Sequence, residues 1–175
     1  SGKSEGMIIT DFTLRLYRKT LKRFRSAHVA THWLMTHGAI PLLEKSTGFR
    51  TMPDDPFWFR LELLTHRHEG ETIMHLDQLA RPGMTMLDIG AHVGYYSRRY
   101  AKILGENGRI FSFEPHPRTF ATLKHNVAAL PQVTAVQLAL AEQEGTAELH
   151  DYLMMSASGS LHYDESMVEL QKAQT

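Results

Sequence analysis

Asp88, Gly90, His92 and Gly94 stand within one short stretch, "MLDIGAHVGYYS" (Met86–Ser97), and Glu114 closes the core of a second, "FSFEPHP". The first opens as a buried strand and breaks into glycines before a helix, which is how several folds hold a nucleotide. At the strand end, Gly90 has no side chain to keep a ligand off the backbone. Gly94 falls in the turn or the first helical residues, near backbone N–H groups at the positive end of a helix dipole, which suit a carboxylate or a phosphate. The spacing G-x-x-x-G differs from the dinucleotide pattern G-x-G-x-x-G, and no Lys-Ser or Lys-Thr follows a glycine run as in a P-loop. A carboxylate at Asp88 would repel a pyrophosphate but can accept bonds from an ammonium group or from hydroxyls. The ligand therefore reads as a zwitterionic nucleoside rather than a dinucleotide. Glu114 lies at the end of the next strand, where an acid can bond both hydroxyls of a ribose. Its competing role is to cap the helix that starts near Arg118. Pro115 and Pro117 force an abrupt exit from the strand.

These residues need a scaffold, and the pattern from Glu69 onward supplies one. "EGETIMHLDQLARPG" predicts a helix with Ile73, Leu76 and Leu79 inward, closed by Pro82 and Gly83. "MTMLDIG" predicts a strand, "YYSRRYAKILGENG" a helix ended by glycine, and "RIFSFEP" a second strand. A helix over "PRTFATLKHNVAAL", a third strand over "VTAVQLAL" and a fourth over "TAELHDY" follow. Strands alternating with helices of this length imply a parallel sheet with helices on its faces, and ligands beyond the carboxyl ends of its strands.

Before Glu69 the chain reads differently, so the expected division is a helical N-terminal extension, 1–68, and a nucleotide-binding part, 69–175. "RLYRKTLKRFR" places Leu14, Tyr17, Leu21 and Phe24 on one face of a helix with six basic residues around the others. Such a helix packs on the domain with its basic face solvated, or it contacts an anionic membrane or RNA. "AHVATHWLMTHGAIPLLEKS" is helix-compatible up to Gly38 and Pro41. "STGFRTMPDDPFWFR" is a loop, and the aromatic cluster Phe57, Trp58 and Phe59 anchors it to the core. His66 and His68, spaced by two, form a loop or surface pair rather than a metal site.

Composition bounds the function. With 175 residues the chain can bury one core. A formal net charge of +0 gives no case for nucleic acid as a partner of the whole molecule. The absence of cysteine removes disulfides and thiolate metal sites and is compatible with a reducing, cytoplasmic compartment. No apolar run reaches the ~20 residues that span a bilayer. The opening "SGKSEG" lacks the pattern of a secretory signal and reads as a lead-in.

Together, "LDIGAHVGYYS", "FSFEPHP" and "VQLALAEQEGTAELH" resemble the FkbM-like family of S-adenosylmethionine-dependent methyltransferases, from about Glu69 to about Leu161. The resemblance implies a class I, Rossmann-like α/β sheet with helices on both faces. It implies S-adenosylmethionine as cofactor and a cofactor-binding set of Asp88, Gly90, Ala91, His92, Gly94, Tyr95, Glu114, Pro115 and Leu140. Of these, Asp88, Gly90 and Gly94 would surround the methionyl part, and Glu114 would take the ribose hydroxyls. Leu140 would lie against the adenine, at the end of the third strand. His92 falls where the family usually has asparagine. Members commonly methylate hydroxyl groups of sugars, polyketides or other small molecules.

One departure from the family qualifies that reading. No match to the family's later acidic motif, of the type K-I-D-x-E-G, occurs in Tyr152 to Thr175. The expected sheet therefore stops after its fourth strand, either because the sequence is a fragment of a longer protein or because the family's fold is cut short, and its bare apolar edge is one that a second copy of the chain would cover. Such a chain binds cofactor weakly and transfers no methyl group, or serves as a catalytically silent binding module. A methyltransferase acting on RNA or at a membrane through the helix 14–25 is the remaining alternative. His116, His162 and Asp164 are placed to act as bases, but none is singled out, and Met154 and Met155 read as ordinary packing. The acceptor is not named by any motif.

Overall fold

A computed structural model describes residues 25–146, 148–149 and 156. The basic segment 14–24, most of the expected fourth strand, and Met154, Met155, His162 and Asp164 lie outside the described residues.

Three short strands alternate with helices. Strand β1 is Thr85–Ile89, β2 is Arg109–Phe113 and β3 is Val133–Val136, paired in parallel in the order β1-β2-β3. Asp88 sits opposite Ser112 and Ile89 opposite Phe113, so the ends of β1 and β2 are level. Helices α1 (Arg25–Leu34), α2 (Ile40–Thr47) and α3 (Phe57–Leu64) come from the N-terminal part. Helices α4 (Gly70–Leu79), α5 (Tyr95–Leu104) and α6 (Pro117–Val127) come from the rest. The mixed α/β architecture read from the sequence is present. Its third strand is shorter than expected: it ends at Val136, and residues 137–140 are irregular, so Leu140 lies in a loop four residues past the strand.

Strand side chains alternate, and one face of the sheet is covered. Met86, Ile110 and Val133 pack against Leu76 of α4, Ala80 at its C-cap, and Tyr100, Ala101 and Leu104 from α5. Val133 and Ala135 also meet Leu123 and Val127 of α6. On the opposite face Leu87 is 58% exposed, Ile89 63% and Phe111 36%. Helices on both faces were expected; among the described residues they pack on one. All connections run the same way along the sheet, and right-handed crossovers in one direction place every helix on one side.

Three further differences have local causes. Gly38 and Pro41 do not end the first helix: the backbone stays helical from Arg25 to Thr47, through a π-helical turn at Met35–Ala39. Proline has no N–H for the i→i−4 ladder, and the wider turn just before Pro41 accommodates it. The helix stops instead at Gly48, which takes a left-handed φ of 62°. The aromatic cluster is not loop but the first turn of α3, entered from Pro56, with Phe57 and Phe59 buried. In α4, Ile73 is buried and Leu76 partly so, whereas Leu79 is exposed. Successive steps of three residues rotate about 60° each around a helix, and by Leu79 the row has left the buried face.

The N-terminal helices and the sheet domain share one hydrophobic cluster. Ile40, Phe49, Phe57, Phe59 and Leu63 pack with Ile73, Val93 and Tyr95. Polar bonds tie the same seam. The Asn126 amide donates to the Arg50 and Val93 carbonyls, at 2.8 and 2.7 Å, and its oxygen accepts from the Arg50 N–H at 2.8 Å. The loop before α3 is held by Glu44, which accepts from both the N–H and the hydroxyl of Thr51 and pairs with buried Arg60 at 3.3 Å. Among the described residues no helix is long and apolar enough to cross a membrane.

Candidate cofactor site at the carboxyl ends of β1 and β2

The chain leaves β1 at Gly90 and enters α5 at Gly94, and both turns use positive φ. Gly90 has φ 74° and Gly94 φ 84°. Their reasons differ. A Cβ built on Gly90 would meet no heavy atom within 4 Å, so the backbone there faces open space. A Cβ on Gly94 would lie 2.7 Å from Leu123 Cδ1, so Gly94 lets α6 approach the loop. Between them His92 also has a positive φ, 51°, an uncommon conformation for a residue with a side chain.

Two carboxylates hold this loop, each in its own way. Glu114, 7% exposed, accepts the His92 N–H on one oxygen and the His116 N–H on the other, both at 2.9 Å. It thereby ties the β1 loop to the exit of β2. It does not bond the first turn of α6, whose N-cap is His116. A carboxylate oxygen can accept two bonds, so each oxygen of Glu114 keeps a place for a hydroxyl. Asp88, 8% exposed, points under α5 instead: it accepts the Ser97 hydroxyl at 2.5 Å as well as the Ser97 N–H. The one Ser97 proton goes to Asp88, so Ser112 is the donor in the 2.6 Å contact between the two serines. Burial raises the pKa of both carboxyls above the ordinary range, and the hydrogen bonds they accept oppose it.

The loop amides are mostly used within the protein. Gly90 and Ala91 both donate to the Phe113 carbonyl at 2.9 Å, and Gly94 donates to Ala91 at 2.8 Å. A phosphate cradle needs such groups free, so this loop is not one. Ala91 is buried, and Pro115 lies between Glu114 and the N-cap His116. Tyr95 is buried with its hydroxyl donating to the His68 carbonyl at 3.3 Å, and burial pushes that phenol up to about 12. Leu140 is 44% exposed and has no part in this hydrogen-bonded cluster.

A second cluster meets the loop from across the chain. Asp55, buried, accepts both the N–H and the hydroxyl of Ser156, each at 2.7 Å. The Ser156 hydroxyl is also in hydrogen-bond contact with His92 Nε2. Since that hydroxyl donates to Asp55, His92 must donate from Nε2, which sets its tautomer. Burial pushes His92 down to about 4, against the pull of Asp55, and its ring lies beside Phe59. Sequence reading missed Asp55, Ser97, Ser112 and Ser156. Ser97 lies inside the glycine motif and Ser112 inside "FSFEPHP", whereas Asp55 and Ser156 had no local signal.

A parallel sheet whose first strand ends in this loop, with an acid closing its second strand, is the arrangement of a Rossmann-like nucleotide-binding domain. Residues 88–173 match the family model described as the Methyltransferase FkbM domain, so the likeness to FkbM methyltransferases is shown over that segment. The chain is also 31% identical over 84 residues to the Ribosomal RNA large subunit methyltransferase E of Xanthomonas oryzae pv. oryzae, a match covering 47% of this chain. It spans about a third, 34%, of the length of such curated relatives. Among solved structures it is similar to a SAM dependent methyltransferase from Aquifex aeolicus, at 24% identity and TM-score 0.38, over 62% of this chain and 50% of that one. Another is Aeropyrum pernix fibrillarin in complex with S-adenosyl-L-methionine, at 23% identity and TM-score 0.34, over 34% and 26% of the two chains.

Proposed function

We propose that this chain holds S-adenosylmethionine for methyl transfer to a hydroxyl group of a small molecule or sugar. The observation that carries the reading is Glu114: a buried carboxylate at the end of β2, bonded to the β1 loop, with an acceptor place left on each oxygen. Glu114 would take the ribose hydroxyls, and the open backbone at Gly90 would take the methionyl part closely. Asp88 then acts chiefly by fixing the start of α5 through Ser97. Bound S-adenosylmethionine supplies an electrophilic methyl group; the protein's part is to align an acceptor with it. A cytoplasmic place of action belongs to the same proposal, and the lack of cysteine is compatible with it.

Calorimetry with S-adenosylmethionine and S-adenosylhomocysteine tests this. One site is expected, and Glu114→Ala should weaken it by roughly 1–3 kcal/mol. The melting temperatures of ligand-free wild type and variant separate lost binding from a collapsed loop. No heat at millimolar ligand would refute the cofactor assignment. A second reading takes RNA as the acceptor, favoured by the 31% identical ribosomal RNA methyltransferase. It requires RNA binding that weakens steeply with salt; salt-independent behaviour would remove it.

A further inference from the structure

Beyond the β1 loop, the N-terminal helices and α5 border a half-open cavity of about 400 Å³. Phe49, Leu63, Leu64 and Ile103 give it an apolar lining. Tyr95, Arg98, Arg99 and Lys102 border it from α5, at i, i+3, i+4 and i+7, one face of the helix. His66 faces them from the loop after α3, its ring stacked with Tyr95 at 6.2 Å. Among the described residues no acidic side chain lines the cavity.

The charges do not cancel. Asp77 pairs with Arg99 at 2.5 Å. The Arg98 guanidinium donates to the carbonyls of Thr47, Gly48 and Asn126, which orient it without neutralising it. Lys102 has no ion pair among the described residues. Two positive charges thus remain over an apolar floor. His66 registers the result: burial pushes its pKa down, and the fields of Arg99, Lys102 and Arg98 push it the same way.

We propose that this cavity binds a phosphate-bearing small molecule, its phosphate held by Arg98 and Lys102 and its apolar portion seated against Phe49 and Ile103. Guanidinium and ammonium groups together suit a dianionic oxyanion. The volume exceeds what a bare phosphate fills, and the lining asks for an organic ester. Its phosphate-holding residues, Arg98 and Lys102, lie outside the cofactor set, with Tyr95 common to both.

Phenyl phosphate is the probe, followed by NMR of the histidine ring protons, with the His66 signal assigned from His66→Gln. The expected result is a saturable shift of that signal and a rise of its pKa toward the ordinary 6.5. Lys102→Glu, with an unchanged melting temperature, should weaken the binding by about tenfold or more, the scale of a charge reversal beside a dianion. Phenol should produce no shift. No His66 response to millimolar phenyl phosphate, or a response that Lys102→Glu leaves intact, would overturn the proposal. A Lys102-dependent response to a short RNA with none to phenyl phosphate would overturn it in favour of a polynucleotide.

Discussion

The two faces of the sheet carry the same kinds of side chain to opposite ends. On one face Met86, Ile110 and Val133 disappear under α4 and α5, and the same face holds Asp88 and Ser112 against Ser97. On the other, Leu87, Ile89 and Phe111 stay exposed among the described residues. The candidate site belongs to the covered face. Its loop enters α5, α5 is fixed by Asp88, and Glu114 locks the loop to β2. A site of this kind needs packing on one side only. Leu87 lies directly opposite Phe111 on the neighbouring strand, so among the described residues these exposed side chains form one contiguous apolar patch.

The contrast can be broken by mutation. Ile110, fully buried, should cost about 2–5 kcal/mol when changed to Ala, read as a lowered denaturant midpoint at constant slope. Leu87→Ser should cost far less; an equal loss would mean that the open face is covered in solution. Acid should act through the covered face as well. His92 has a folded pKa near 4 against an ordinary 6.5, so the unfolded chain binds the extra proton first as pH falls. Stability should then decline between about pH 6.5 and 4, by up to about 3 kcal/mol, and be unaffected by this group above that window. His92→Gln should flatten the decline; an unchanged pH profile would place the imidazole in solvent.

The two glycines sharpen the same contrast at smaller scale. Gly94→Ala adds a methyl 2.7 Å from Leu123 Cδ1 at a left-handed φ, and should cost about 2 kcal/mol or more in thermal unfolding. Gly90→Ala meets open space and should cost only the strain of its φ, about 1–2 kcal/mol. Its larger effect should be on cofactor affinity. If Gly90→Ala binds S-adenosylhomocysteine like wild type, the ligand does not approach that backbone.

How much of this was legible depended on the distance over which residues act. Strands β1 and β2, the glycine turn and α6 follow from local hydrophobic period and turn residues, and they lie where the pattern put them. Glu114 stood out because it closes a strand. Pro41 misled because a π turn upstream removes the conflict it would otherwise create, and such a turn has no residue signature. Leu79 misled because a row of threes drifts around a helix. The Asp55–Ser156–His92 contact joins three distant segments, and no local pattern predicts it. The packing of Val93 and Tyr95 with the N-terminal helices was invisible for the same reason, although it props the loop that carries the site.

Hydrogen–deuterium exchange with and without S-adenosylhomocysteine reads out whether the β1 loop and Glu114 hold the cofactor. Exchange should slow only over residues 89–95 and 113–117, where the β1 loop and Glu114 meet, and that protection should be lost in Glu114→Ala. Protection that appears elsewhere, or none at saturating ligand, would contradict it.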